Sequence, residues 1–220
     1  MKKTIIYAAT RNLYRDMIPA VNSAYLNSNA EVVLLLEDDY NPFITNANVI
    51  NVSRQNFFRK DGPNALRRWT YMVLMKTALT ELFPDRERVL MLDCDTIVRE
   101  DLTDLWRIDM TDYYYGMVKQ KDDGRGGRFK WGSYYNAGVL LCNLEKLRDG
   151  KENEIRAALN NVPYDYPEQD AINHLCEGQI LELPARYNSC KYNIPDEEEY
   201  INHYAADPNW RMKYGKEYDL

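Results

Sequence analysis

Residues 88–95 read R-V-L-M-L-D-C-D: an apolar run of strand length that stops at two carboxylates one residue apart. A strand apolar on both faces belongs inside a sheet covered on both sides, as parallel sheets are. Ligands of such sheets gather beyond the carboxyl ends of the strands. Asp93 and Asp95 at that edge would repel each other unless positive charge lies between them. Hard oxygen ligands with room for phosphates describe a Mg²⁺ or Mn²⁺ site that holds a nucleotide. The competing reading of an isolated D-x-D is a solvated turn, so the rest of the chain has to decide.

The flanking sequence supports a covered sheet. Residues 3–9 and 31–36 read as strands and 49–52 as a short third one, with a helix over 16–26 between the first two. Apolar residues at helical spacing from Asn64 to Phe83 predict a helix that stops at Pro84. This alternation predicts an α/β fold with a Rossmann-like, mostly parallel central sheet and helices on both faces. Beyond Asp95 the pattern gives a helical turn over 101–106, strands over 113–118 and 135–142, and a charged loop over 119–133. A helix over 144–159, a helix from Glu168 to Cys176 and a late strand over 179–183 follow. No repeat or linker divides the 220 residues, so a single domain over 1–220 is the economical organisation. Within it, residues 1–95 form a nucleotide-binding half and 96–220 a second half.

A net charge of −6 argues against a broad nucleic-acid or anionic-membrane surface. The four cysteines, Cys94, Cys142, Cys176 and Cys190, form no C-x-x-C pair, which points to reduced thiols in a cytoplasmic protein. The apolar run at the start is too short for a leader peptide, and no run reaches the length of a membrane span.

Further segments carry candidate chemistry. The first strand leads into Ala8, Thr10, Asn12 and Tyr14: small residues that let a base approach, with hydrogen-bonding groups or a stacking face. Lys76 stands in an apolar helix before the acidic pair, placed to reach a phosphate or to snorkel. Asn136, Ala137 and Gly138 interrupt a buried strand, which a close-approaching ligand would explain. Glu168, Gln169 and Asp170 begin a helix, where capping explains the acids but leaves the amide over. His203 follows an apolar residue late in the chain and is suited to complete a metal site; His174 reads as an ordinary histidine. The Glu37-Asp38-Asp39 cluster, flanked by Tyr40, Asn41 and Pro42, reads as a solvated loop.

The order of these segments resembles family 8 of the glycosyltransferases, which includes glycogenin and bacterial lipopolysaccharide galactosyl- and glucosyltransferases. A-A-T-x-N, a basic helix residue, V-L-M-L-D-C-D-T-I-V, Y-N-A-G-V-L-L-C-N-L, P-E-Q-D-A-I-N and I-N-H-Y-A-A-D-P-N-W fall in family order across residues 3–210. The resemblance implies a GT-A type fold and retaining transfer of glucose or galactose from a UDP-sugar. It also implies Mn²⁺ as cofactor, with Mg²⁺ as its substitute. The acceptor stays open among carbohydrate, lipid-linked and protein, as does self-association. By the same resemblance, Asp93, Asp95 and His203 hold the metal. Ala8, Thr10, Asn12, Tyr14, Lys76, Asp93, Cys94 and Asp95 line the nucleotide. Asn136, Ala137, Glu168 and Gln169 face the donor sugar, Gln169 and Glu168 being catalytic.

The sequence also departs from the family pattern. The family commonly ends in H-x-x-G-x-x-K-P-W; here Ala206 replaces the glycine, Asn209 the lysine, and Trp210 comes one residue early. Arg211 or Lys213 are the basic residues available to replace the missing lysine. Gln120 stands where galactosyltransferases of the family resemble one another in carrying an acid. A nucleotidyltransferase, or a sugar-nucleotide-binding protein without turnover, are the competing readings. The charged loop, with Lys119, Lys121, Arg125, Arg128, Phe129, Lys130 and Trp131, suits an acceptor-facing lid.

Overall fold

The computed structural model describes residues 2–38, 46–65, 71–121, 133–195 and 197–219. Its first strand, β1 (Thr4–Ala9), pairs in parallel with β2 (Glu31–Leu36) on one side and β4 (Arg88–Leu92) on the other. β3 (Asn48–Asn51) extends this half beyond β2, also in parallel. β7 (Tyr135–Asn143) joins β4 antiparallel, and β6 (Tyr115–Lys119) and β8 (Ile180–Glu182) complete a seven-stranded sheet ordered β3-β2-β1-β4-β7-β6-β8. The sheet is mostly parallel, as expected; β7 supplies both antiparallel pairings.

Side chains alternate across this sheet, so each strand contributes to two cores. Ile5, Tyr7, Leu34, Leu36, Leu90 and Leu92 pack on one face with Val21 of helix α1 (Ile18–Asn27). Ile6, Val33, Leu35, Val89, Met91 and Leu140 pack on the other with Ile155 and Ile172. Those two belong to helices α5 (Lys151–Asn161) and α6 (Pro167–Leu175). Both faces are covered, which is why β2 and β4 read as unbroken apolar runs rather than alternating ones. Among the described residues, no helix is long and apolar enough to cross a membrane.

Two expected helices are broken. The described part of 64–83 is a 3₁₀ segment, Tyr71–Thr77, then a non-helical Ala78, then a one-turn helix α2 (Leu79–Leu82). Buried Glu152 explains the restart. Its carboxylate accepts from the Leu79 N–H at 2.5 Å and the Thr80 N–H at 3.0 Å, and also from the Thr80 hydroxyl. A carboxylate from α5 thus satisfies the amide groups that helix continuity would have satisfied. Glu152→Ala should cost about 2 kcal/mol of stability, as loss of a charged cap does. A urea midpoint equal to that of the parent chain would contradict this role. The second expected helix, 144–159, divides into α4 (Leu144–Leu147) and α5 at Gly150, whose φ of 115° no ordinary side chain tolerates.

Outside the main sheet, β5 (Thr96–Val98) pairs antiparallel with β9 (Ile201–His203), matching Thr96 to His203. That ribbon brings the late part of the chain to the acidic edge. A short helix, α3 (Thr103–Arg107), follows β5.

Candidate active site

Strand direction decides what meets at the carboxyl end of β4. β1 runs parallel with Tyr7 opposite Leu92, so the strand ends at Ala9 and Thr10–Asn12 leave the sheet beside Asp93 and Asp95. β7 runs antiparallel with Val139 opposite Leu92, so Asn136, Ala137 and Gly138 lie at the same edge. The Asp93 N–H donates to the Gly138 carbonyl at 2.9 Å, continuing the β4–β7 ladder to the first aspartate.

Asp93, Asp95 and His203 each bring one ligand atom to within 4.8 Å of one another. His203 Nε2 lies 3.6 Å from Asp93 Oδ2 and 3.4 Å from Asp95 Oδ1. The imidazole is buried, whereas the carboxylates remain near 30% exposed and open outward. Two hard oxygen donors and one imidazole at this separation fit a divalent cation such as Mn²⁺ that keeps positions open for a ligand.

Gly138 makes this arrangement sterically feasible. A Cβ there would lie 2.1 Å from His203 Cε1 and 2.4 Å from its Nδ1. The group that approaches this interrupted strand at Gly138 is the His203 imidazole.

Burial opposes the charge on His203, but Asp95, then a hydrogen bond with Cys190 and the charge of Asp93, outweigh it and push its pKa up to about 10 from an ordinary 6.5. Burial likewise resists ionisation of Asp95, yet His203 holds its carboxyl below the ordinary range. A group with a raised folded pKa gives stability that is complete below its unfolded pKa and lost as pH rises through the folded one. The metal-free chain should therefore lose thermal stability between pH 6.5 and about 10. His203→Gln should flatten that slope. Identical melting profiles for the two proteins across this range would contradict the assignment.

Lys76 does not snorkel to the surface. It is buried, and its ammonium contacts Asp93 Oδ1 at 2.6 Å, Glu168 Oε1 at 3.1 Å and the Ala137 carbonyl at 3.0 Å. An ammonium has three hydrogens, and these three acceptors use them. Burial works against its charge, but Asp93 and Glu168 outweigh that and raise its pKa. Burial also lifts the Glu168 carboxyl above the ordinary range, although Lys76 acts against the shift. Lys76 therefore balances two carboxylates at the edge where Asp93 and Glu168 meet.

Gln169 is held just as tightly. Its Oε1 accepts from the Ala137 N–H at 2.9 Å, and its Nε2 donates to the Tyr134 hydroxyl at 2.8 Å. That hydroxyl donates in turn to Asp170 at 2.5 Å, whose other oxygen accepts from the Tyr166 N–H at 2.9 Å. Asp170 thus caps the helix and orients the network, while Gln169 and Glu168 are brought to the edge beside Asp93.

The first-strand segment divides. Ala8 is half-buried and its carbonyl accepts from the Cys94 thiol at 3.4 Å. Thr10 donates to Asn12 Oδ1 at 2.5 Å, and Asn12 is exposed. Tyr14, by contrast, is in the core, its hydroxyl donating to Asp38 at 3.1 Å, so its ring offers no face to a base. The acidic cluster is not merely solvated: Glu37 accepts from the Arg11 N–H at 2.5 Å, and Asp38 also faces Arg11 at 3.7 Å. An acid at the end of a second parallel strand, opposite the first, is the signal that marks both. Asp39 lies outside the described residues.

In the terminal segment Ala206 has a φ of 60°, the left-handed backbone in which glycine is at ease. Asn209 is exposed, its N–H donating to Asp207 at 2.9 Å. Arg211 pairs with Asp219 at 2.7 Å and Lys213 with Asp207 at 2.8 Å, so both basic residues are already engaged. Gln120 is buried, and its Oε1 has no partner among the described residues. Most of the expected lid, including Arg125, Arg128, Phe129, Lys130 and Trp131, lies outside the described residues. His174 is exposed and is not one of the three residues of the Asp93, Asp95 and His203 cluster.

Comparison with known proteins gives these features a frame. The sequence model described as "Glycosyl transferase family 8" matches residues 5–209. A putative glycosyltransferase of Haemophilus influenzae is 31% identical over 122 residues, covering 50% of this chain and 36% of that protein. Lipopolysaccharide 1,2-glucosyltransferase of Escherichia coli shares 31% identity over the same extent, with 50% and 36% coverage. The match thus spans little more than a third of these relatives' length. The crystal structure of galactosyltransferase LgtC, in complex with donor and acceptor sugar analogs, superposes with a TM-score of 0.78. Its identity is 21%, covering 98% of this chain and 93% of the other, which establishes the GT-A fold.

Proposed function

Given that the chain belongs to glycosyl transferase family 8, we propose that it moves glucose or galactose from a UDP-sugar to an acceptor, Mn²⁺-dependently and with retention of anomeric configuration. The observation that carries this reading is the convergence of Asp93, Asp95 and His203 beside the Glu168–Gln169 pair. A cation held by those three would neutralise the departing diphosphate and template the donor. Residues 1–95 then act as the nucleotide-binding half of one domain, with Ala8, Thr10 and Asn12 at the uridine. With four free thiols among the described residues, we place the reaction in the cytoplasm.

Glu168 is buried and bonded to Lys76, so it is not free to attack the sugar from beneath. Gln169 is neutral, and its oxygen already accepts a backbone N–H. We therefore favour front-face transfer. The bond from sugar C1 to the phosphate oxygen breaks, the acceptor hydroxyl bonds C1 on the same face, and its proton passes to the departing phosphate. Gln169 steadies the positive charge that grows on the sugar ring.

Incubation with UDP-glucose and UDP-galactose plus Mn²⁺ should release UDP; donor binding without release would favour a sugar-nucleotide-binding protein instead. Gln169→Ala should lower turnover by about 100-fold, as loss of a preorganised electrostatic group does, with affinity for the UDP-sugar nearly unchanged. Full turnover in that variant would remove Gln169 from the mechanism.

A further inference from the structure

The metal cluster leaves one residue unexplained: Asn188, fully buried and singled out by no sequence motif. Its Oδ1 lies 2.9 Å from His203 Nδ1, and its Nδ2 donates to Asn136 Oδ1 at 2.9 Å. Asn136 Oδ1 also accepts from the Gly138 N–H at 2.9 Å.

These three bonds have a fixed polarity. A backbone N–H can only donate, so the Asn136 group facing Gly138 must be its oxygen. That oxygen must meet a donor from Asn188, which is the amide NH₂. The other end of the Asn188 amide, facing the imidazole, is then its carbonyl oxygen and can only accept. The proton between them therefore belongs to His203 Nδ1. Nε2 is left to face Asp93 and Asp95. Asn136, Asn188 and His203 are each at least 94% buried, so water offers little competition for these bonds.

We propose that Asn188 is the positioning residue of the metal centre. Its amide, oriented through Asn136 by the Gly138 N–H, locks His203 in the Nδ1–H form with Nε2 aimed at the cation. This rests on the metal-dependent reading above, and it gives Asn136 a structural task distinct from contacting the donor sugar. Its Nδ2 takes no part in these bonds.

The test separates the two readings. In a His174→Gln background His203 is the sole imidazole, and ¹⁵N NMR with ¹¹³Cd²⁺ as a diamagnetic probe reports each ring nitrogen. Cadmium coupling at Nε2 with a protonated Nδ1 is expected; coupling at Nδ1 would overturn the proposal without removing the metal site. Asn188→Ala should weaken Mn²⁺ binding, followed by electron paramagnetic resonance of the free ion, by about 10–100-fold. Asn136→Asp, which keeps an acceptor for both donors, should bind Mn²⁺ more tightly than Asn136→Leu, which keeps none. Equal affinity in the parent chain and Asn188→Ala would sink the positioning role. No binding of either ion by the parent chain would sink the metal reading with it.

Discussion

Gly138→Ala should abolish divalent-cation binding and, with it, any cation-dependent release of UDP. The added methyl would lie 2.1 Å from one atom of the His203 ring and within 2.8 Å of two more. The ring cannot slide away cheaply, because Nδ1 is bonded to Asn188 and the site is buried. Any rotation that clears the methyl turns Nε2 from Asp93 and Asp95. Binding of Mn²⁺ should fall by at least the roughly 100-fold that a disturbed supporting shell costs. Overpacking should add a stability loss of about 1–3 kcal/mol. Both are measurable on one preparation, by electron paramagnetic resonance and by denaturant unfolding. A variant that binds Mn²⁺ as the parent does would mean that the imidazole is not a ligand.

The second large effect concerns stability. Lys76→Met should destabilise the chain by about 3–5 kcal/mol, because it strands buried Glu168 and half-buried Asp93 without their shared cation. Loss of the ammonium removes the contact that opposes burial at Glu168 and lifts that carboxyl further above its ordinary range. A group shifted in that direction contributes stability only at low pH. The deficit of Lys76→Met should therefore shrink as the Glu168 carboxyl becomes protonated in mild acid and widen toward pH 8. A deficit independent of pH would mean that Lys76 serves by packing its stem. If Lys76 instead held a donor phosphate, the variant would melt like the parent and lose only donor affinity.

Much of the site was readable because its logic is local to strand ends. The apolar run to Leu92 marked a covered strand, and a covered strand ending in Asp93 and Asp95 marked the ligand edge. Gly138 stood out because a glycine inside a buried strand needs a close neighbour, although the sequence could not say that the neighbour was His203. What stayed hidden depends on partners distant in the chain. Ala78 breaks a helix whose apolar spacing is continuous, because Glu152 supplies the cap from another helix. Periodicity across Gly150 hides a turn that only its positive φ reveals. Tyr14 looked like a stacking ring because amphipathic side chains suit both a base and a core. Asn188 sits in a segment without periodicity, and its meaning appears only once β5 and β9 are paired.

That ribbon has a consequence for how activity first appears. β5 follows the acidic pair directly, whereas its partner strand carries the imidazole from far along the polypeptide. A chain still emerging from the ribosome can fold the sheet through β8 while holding only Asp93 and Asp95 of the three residues that gather at its edge. If transfer depends on that cluster, it would wait for the β5–β9 pairing, which requires the polypeptide to be made at least through residue 203.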